Sequence, residues 1–209
     1  IHVTEPSLDD MADYDVCIIG GGIAGLATAV GVARRGVKRI VIFEQARRLE
    51  PIGAAIGLFP NGLAALGAIS KRVYDKVLDS SIHHDISQMY SIDGPTLLRE
   101  TDYSKMDMIS PTYLVWYLLQ KYLAQDLGEA LDEDIGTVLK MGHVLESFQV
   151  DDASGLVKVR VRNRNDDTTS EVTSRVLVGA DGIHSTVRTQ LFGSKELRYH
   201  NKMMFRAIV

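Results

Sequence analysis

Cysteine is almost absent: Cys17 is the single one in 209 residues, so no disulfide can form within the chain. Cys17 sits inside an apolar run and reads as a small buried hydrophobe, which fits a reducing compartment such as the cytoplasm or an organelle. Neither sign of charge prevails. With 23 Lys and Arg against 27 Asp and Glu, the net charge is −4 and the charges are mixed along the chain. That removes any electrostatic case for nucleic acid or an anionic membrane as partner. There is no internal repeat, no low-complexity tract, no Walker loop and no Gly-x-Ser-x-Gly elbow. His83 and His84 are adjacent, without Cys or Asp partners at ligand spacing, so they read as surface residues rather than a metal site. No basic region followed by an apolar stretch marks a secretory signal.

Long hydrophobic runs are also scarce, with one exception. Val16 to Ala33 is eighteen residues without a charge, the length of a membrane span. Gly20-Gly21-Gly22 lies in its middle, and each glycine costs a helix interior about 0.8–1 kcal/mol relative to alanine. A strand, a glycine turn and a helix account for the same residues better, so no transmembrane segment is expected.

What is present reads as an ordinary globular chain, 45% hydrophobic and 24% charged. Tyr14–Gly20 is a short apolar run ending in glycine, a buried strand. Ile23–Arg35 has helical spacing, with Arg34 and Arg35 in the last turn and Gly36 beyond it. Arg39–Glu44 is a second buried strand that ends in an acid. Together they make a βαβ unit. Pro51–Phe59 is glycine-rich and apolar, and Pro60-Asn61 starts a helix carrying Leu63, Leu66 and Ile69. Ser87–Ser91 and Thr96–Glu100 are strands flanking the turn Asp93-Gly94-Pro95. Thr112–Gln125 reads as a deeply buried helix, and Asp126–Asp134 as a solvated acidic helix and loop. Val144–Val150 and Val157–Arg162 form a hairpin, Glu171–Val178 a further strand, and Ile183–Phe192 a helix.

The chemistry is carried first by Gly20-x-Gly22-x-x-Gly25, which follows a strand and opens a helix. Gly20 permits the tight turn, Gly22 lets the backbone approach a pyrophosphate, and Gly25 lets the helix pack closely on the strand. The helix N-terminus then offers N–H groups and a positive dipole end to phosphate. Glu44 lies nineteen residues after Gly25, at the end of the second strand. There an acid accepts hydrogen bonds from an adenosine ribose, and it would repel the 2′-phosphate of NADP. The pattern therefore points to FAD or NAD, and the βαβ unit does not choose between them.

Gly179-Ala-Asp-Gly-Ile-His-Ser-Thr-Val-Arg188 does choose. Together with the glycine turn and Gly53-Ala-Ala-Ile-Gly-Leu-Phe-Pro-Asn61, it resembles the FAD-dependent monooxygenases of the aromatic-hydroxylase type, including salicylate-hydroxylase-like and zeaxanthin-epoxidase-like enzymes. The resemblance runs from about Tyr14 to the end. It implies an α/β Rossmann-like FAD/NAD(P)-binding domain over 13–192, with an antiparallel sheet layer inserted around 86–100. Residues 1–12 are then a disordered extension, and 193–209 the start of a truncated substrate-domain strand.

On matching positions the resemblance implies that Gly20, Gly22, Gly25 and Glu44 hold the ADP half of FAD. Ala54 and Ala55 would lie along the extended cofactor, and Val144 would meet the adenine. Asp181 and Gly182 would serve both the flavin and the reduced nicotinamide donor, and Arg188 would steady them. Local reasoning leaves a second option open, in which Asp181 caps the helix near Ile183 and Arg188 is solvated. Pro111, read as the N1 residue of the Thr112–Gln125 helix, stands where the family has a flavin-reaching arginine. The implied function uses NADH or NADPH and O2 to hydroxylate or epoxidise an aromatic or polyene-like organic substrate, and the fragment alone is expected to be inactive. A flavin-dependent reductase or dehydrogenase, and a non-catalytic nucleotide-binding domain, are the alternatives.

Overall fold

The structure, a computed structural model, describes residues 12–51, 55–106, 109–194 and 196–201. The expected N-terminal extension lies outside them up to residue 11, as does the expected closing strand from residue 202. Strand β1 (Tyr14–Ile19), helix α1 (Ile23–Ala33) and strand β2 (Ile40–Glu44) open the fold. Then come β3 (Ala55–Leu58), α2 (Pro60–Ile69), α3 (Lys71–Ser80), β4 (Ile82–His83), β5 (Ile86–Tyr90) and β6 (Leu97–Asp102). After a 3-10 turn follow β7 (Thr112–Val115), α4 (Trp116–Leu131), α5 (Ile135–Val138) and β8 (Leu139–Met141). The chain closes with β9 (His143–Val150), β10 (Val157–Asn163), β11 (Thr169–Gly179) and α6 (Thr186–Phe192).

These elements form two compact units, divided near Glu50–Pro51 and Tyr122–Leu123. The first holds a six-stranded sheet in the order β8-β2-β1-β11-β10-β9. β8, β2, β1 and β11 run parallel, while β10 and β9 are antiparallel additions at one edge. β11 makes both kinds of sheet possible because it is long. Thr169–Ser174 pairs antiparallel with β10, and Ser174–Gly179 pairs parallel with β1. Parallel strands buried on both faces must be apolar throughout, and Val16–Ile19 and Ile40–Phe43 are all buried. Cys17, Ile19, Val41, Phe43, Val159 and Val161 share one core cluster with Val187. Burial pushes the Cys17 thiol up to about 12, so it packs as a hydrophobe.

The second unit, Pro51–Tyr122, carries the three-stranded sheet β3-β7-β4, the hairpin β5–β6 and helices α2 and α3. α3 starts at Ser70, whose hydroxyl caps it by accepting from the Val73 N–H. The side chain of His83 is fixed at both nitrogens: Nε2 donates to the Leu78 carbonyl at 3.2 Å and Nδ1 shares a hydrogen bond with the Thr112 hydroxyl at 2.6 Å.

Several sequence-based expectations need correction. Thr112–Val115 is a strand, paired with β3 and β4, and the helix begins only at Trp116. Pro111 thus precedes a strand and is not a helix N1 residue. An apolar run fits either period, and the partner strands that decide it lie about 30 and 57 residues upstream. The Ile23 helix stops at Ala33, and the helix expected from Ile183 starts at Thr186. Asp126 is not solvated: it is 2% exposed and meets the Arg34 guanidinium at 2.5 and 2.9 Å.

That pair has an asymmetric prediction. Arg34→Met leaves a carboxylate buried without its cation and is expected to cost about 3 kcal/mol. Asp126→Asn costs less, because the half-exposed Arg34 hydrates instead. Denaturant midpoints at unchanged slope measure both.

A second ion pair sets an acid dependence. The Arg39 guanidinium hydrogen-bonds Asp15 and holds its carboxyl below the ordinary value. A depressed folded-state pKa contributes stability above the unfolded value of about 3.9, and that contribution is lost as pH falls through the folded one. Asp15→Asn is therefore expected to be less stable than the natural chain at neutral pH, by up to about 1 kcal/mol. The gap should close in a melting series as pH falls below the unfolded value and through the depressed folded one.

Candidate cofactor site

The parallel strands β1, β2 and β11 end at one edge of the first unit's sheet. β1 has its two neighbours on opposite sides, β2 reached through α1 and β11 reached much later in the chain. Such a switch in direction opens a crevice beyond the strands' carboxyl ends. A cleft of about 280 Å³ lies there.

The glycine turn builds its floor. Gly20 has φ +106°, and a Cβ on it would stand 2.3 Å from the Ala180 carbonyl oxygen. Its N–H donates to the Phe43 carbonyl at 2.8 Å, and the Ala180 N–H donates to the Ile19 carbonyl at 2.7 Å, so the ends of all three strands are tied together. Gly25 does not line the cleft but makes the turn possible. A Cβ there would stand 1.9 Å from the Gly20 carbonyl oxygen.

Gly22 differs from both. It is the N-cap of α1, with no side-chain capping bond and no acid in the first turn, and a Cβ on it would meet nothing within 4 Å. The helix end is left uncapped and open to the cleft. The contrasting case is α6, whose N-terminus is closed by side chains. There Asp181 accepts from the Ser185 hydroxyl at 2.6 Å, the Thr186 N–H at 2.7 Å and the Val187 N–H at 3.2 Å. The Ser185 hydroxyl in turn accepts from the Arg188 N–H at 2.9 Å.

Glu44 ends β2 with both oxygens engaged. Oε2 accepts from the Gly21 N–H at 2.6 Å and Oε1 from the Ala46 N–H at 2.7 Å. A carboxylate has about four lone-pair positions, so acceptor capacity remains for two hydroxyls of a ligand. Gly21, which the fingerprint alone did not single out, does not line the cleft but holds Glu44 in place. A Cβ on it would lie 3.0 Å from both the Glu44 Cβ and the Leu139 Cδ1.

Of the residues expected from the sequence, Gly20, Gly22, Glu44, Val144, Asp181 and Gly182 come together on the cleft. Gly182 turns there at φ +76°, while the Asp181 carboxylate is spent on α6. The local reading of Asp181 as a helix cap is thus the one its side chain follows. Arg188 is not on the cleft. Its guanidinium donates to the Ile183 carbonyl at 2.5 Å and so holds the turn that precedes α6. Ala55 is exposed at the start of β3 in the second unit, and Ala54 lies outside the described residues. Gln45, His143 and His184 line the cleft without having been foreseen. Gln45 follows Glu44 at the end of β2, while the positions of His143 and His184 depend on where β8 and α6 join the sheet, which no local motif announces.

No Lys or Arg lines the cleft among the described residues. A diphosphate here would be neutralised by backbone N–H groups and the α1 dipole instead of by side-chain cations. The uncapped helix, the absence of any Cβ at Gly22 and the acid at the end of β2 together fit the ADP half of a dinucleotide.

Comparison with known proteins agrees. The family model described as FAD binding domain matches residues 13–204. The dual trans-enoyl reductase/FAD-dependent monooxygenase tazHJ of Aspergillus terreus is 30% identical over 95% of this chain and 27% of its own length. Monooxygenase 1 of Arabidopsis thaliana is 30% identical over 87% of this chain and 41% of its own. Among solved structures, a mutant of PqsL from P. aeruginosa superposes with a TM-score of 0.72 at 28% identity, over 89% of this chain and 47% of that one. The chain thus spans less than half the length of these proteins. Among the described residues, no helix is long and apolar enough to cross a membrane.

Proposed function

The chain belongs to the FAD binding domain family, and from that premise we propose that it is the FAD-holding portion of an NAD(P)H- and O2-dependent monooxygenase. Its organic substrate would be aromatic or polyene-like. The observation that carries the reading is the open N-terminus of α1 at Gly22, set beside the Glu44 carboxylate at one cleft. Two of the similar proteins are named as monooxygenases, which supports the choice of reaction. When bound, FAD would supply the redox chemistry, passing two electrons from NADH or NADPH to O2 so that one oxygen atom enters the substrate and the other leaves as water.

The residues named here hold and orient. Gly22 and the first turn of α1 bind the diphosphate through N–H groups. Glu44 accepts from the ribose hydroxyls while keeping the Gly21 turn in place. Val144 meets the adenine through its backbone. Gly182 lets the backbone at the end of β11 approach the ligand, and Asp181 and Arg188 keep that turn in position from the α6 side. Ala54 and Ala55 would follow the cofactor further along its length. A reducing compartment suits the single buried thiol.

Glu44→Ala removes the tie to the Gly21 N–H of the glycine turn, the tie to the Ala46 N–H and both ribose acceptors. Hydrogen bonds to a charged group contribute about 1.5–3 kcal/mol, so FAD affinity is expected to fall about ten- to a hundredfold in a flavin fluorescence titration. The reaction itself is tested with labelled O2 on the longest natural protein that carries this sequence. NAD(P)H-dependent uptake with label in the product supports the proposal. Substrate reduction without label would replace it with a reductase, and tight FAD binding without any turnover with a non-catalytic domain.

A further inference from the structure

One side chain on the cleft has no part in the function proposed above. His143 is the first residue of β9 and lines the cleft beside Val144. Its Nδ1 stands 2.9 Å from the Met141 carbonyl oxygen. A carbonyl can only accept, so Nδ1 carries the proton, and in the neutral ring Nε2 is left as an acceptor. The ring also packs on Phe43, with centroids 5.6 Å apart and planes inclined at 46°. Phe43 is 5% exposed and belongs to the core, so the imidazole has a firm seat.

The topology says which part of a dinucleotide this imidazole would meet. β2 lies between β1 and β8 in the sheet, and Glu44 pairs with Met141 of β8. Gly142, which turns the chain from β8 to β9 at φ +75°, donates its N–H to the Ala46 carbonyl at 2.8 Å. The corner carrying His143 therefore abuts the chain just past Glu44, on the side away from the glycine turn. A ligand with its diphosphate at Gly22 and its ribose at Glu44 brings its base to that corner next.

We infer that His143 is a specificity-determining residue for adenine, its Nε2 accepting from the exocyclic amino group. The inference rests on the reading of the cleft as an adenine-dinucleotide site. A purine with a carbonyl oxygen in place of that amino group sets acceptor against acceptor and is disfavoured. The Val144 backbone alone does not demand this choice of His143 as reader. A purely structural imidazole, bonded to Met141 and packed on Phe43, would show no such preference.

The test is calorimetric binding of adenosine diphosphate and inosine diphosphate to the natural chain and to His143→Phe. The natural chain is expected to favour the adenine nucleotide by about tenfold, the scale of one buried hydrogen bond. His143→Phe keeps a ring against Phe43, and its preference is expected to fall to about one. His143→Gln, which restores a side-chain acceptor, should recover part of it. If His143→Phe does not fold by circular dichroism, His143→Gln against His143→Leu reads the same difference. A phenylalanine variant that still prefers the adenine nucleotide as strongly as the natural chain overturns the inference and leaves the proposed function standing. A natural chain that binds neither adenosine diphosphate nor FAD overturns both.

Discussion

Gly22→Asp is expected to make the protein more stable and nearly unable to bind FAD. Gly22 has φ −71° and ψ −178°, an extended conformation open to any residue, and the position of its missing Cβ faces empty space. Aspartate ranks above glycine as an N-cap by a few tenths of a kcal/mol, and its charge complements the helix dipole by about 0.3–1 kcal/mol more. A rise in melting temperature of about 2–4 °C follows for a chain of this size. The same carboxylate would take up the N–H groups meant for the diphosphate and oppose its charge. Like charges in contact cost several kcal/mol, so affinity should drop by about a thousandfold. A thermal melt and a flavin titration on one preparation read both effects. A merely structural glycine would give the first without the second.

Gly25→Ala is expected to fail in the opposite way, by damaging the fold itself. The added methyl would stand 1.9 Å from the Gly20 carbonyl oxygen and 3.3 Å from the Ile18 Cγ2. The oxygen is backbone and cannot move aside as a side chain can. Relief requires α1 to lift from β1, where Leu26, Ala29 and Val30 are fully buried. Overpacking in a tight core costs about 1–3 kcal/mol, and a backbone clash this close belongs at or above the top of that range. That is a large share of the about 5–15 kcal/mol by which a domain is stable. The readout is a lowered melting temperature in the absence of any cofactor, which a change confined to binding would not produce.

These two glycines, three residues apart, show what could be read from sequence and what could not. The βαβ unit, its glycine turn and Glu44 were legible because their logic is local: short apolar strands, a fixed spacing, an acid at a strand end. The hairpin of β9 and β10 followed from alternation in the same way. Thr112–Val115 was not legible as a strand, because an apolar run takes its conformation from partners that lie far away in sequence. Asp126 gave no sign of burial, since its cation, Arg34, caps the C-terminal end of α1, 92 residues before it. His143 reaches the cleft because the three-residue strand β8 joins the edge of β2, a pairing that leaves no periodic trace. Asp181 was legible as a residue of the site and also as a cap, and only the three bonds to its carboxylate separate the two roles.

The most direct measurement is the visible absorption spectrum of the purified chain after incubation with FAD and exhaustive dialysis, followed by addition of excess adenosine diphosphate. If the cleft at the ends of β1, β2 and β11 holds the ADP half of FAD, the protein stays yellow. It then releases its flavin as the nucleotide competes for the Gly22 and Glu44 positions. A correctly folded protein that comes through dialysis colourless, or keeps its flavin against any excess of adenosine diphosphate, contradicts that assignment.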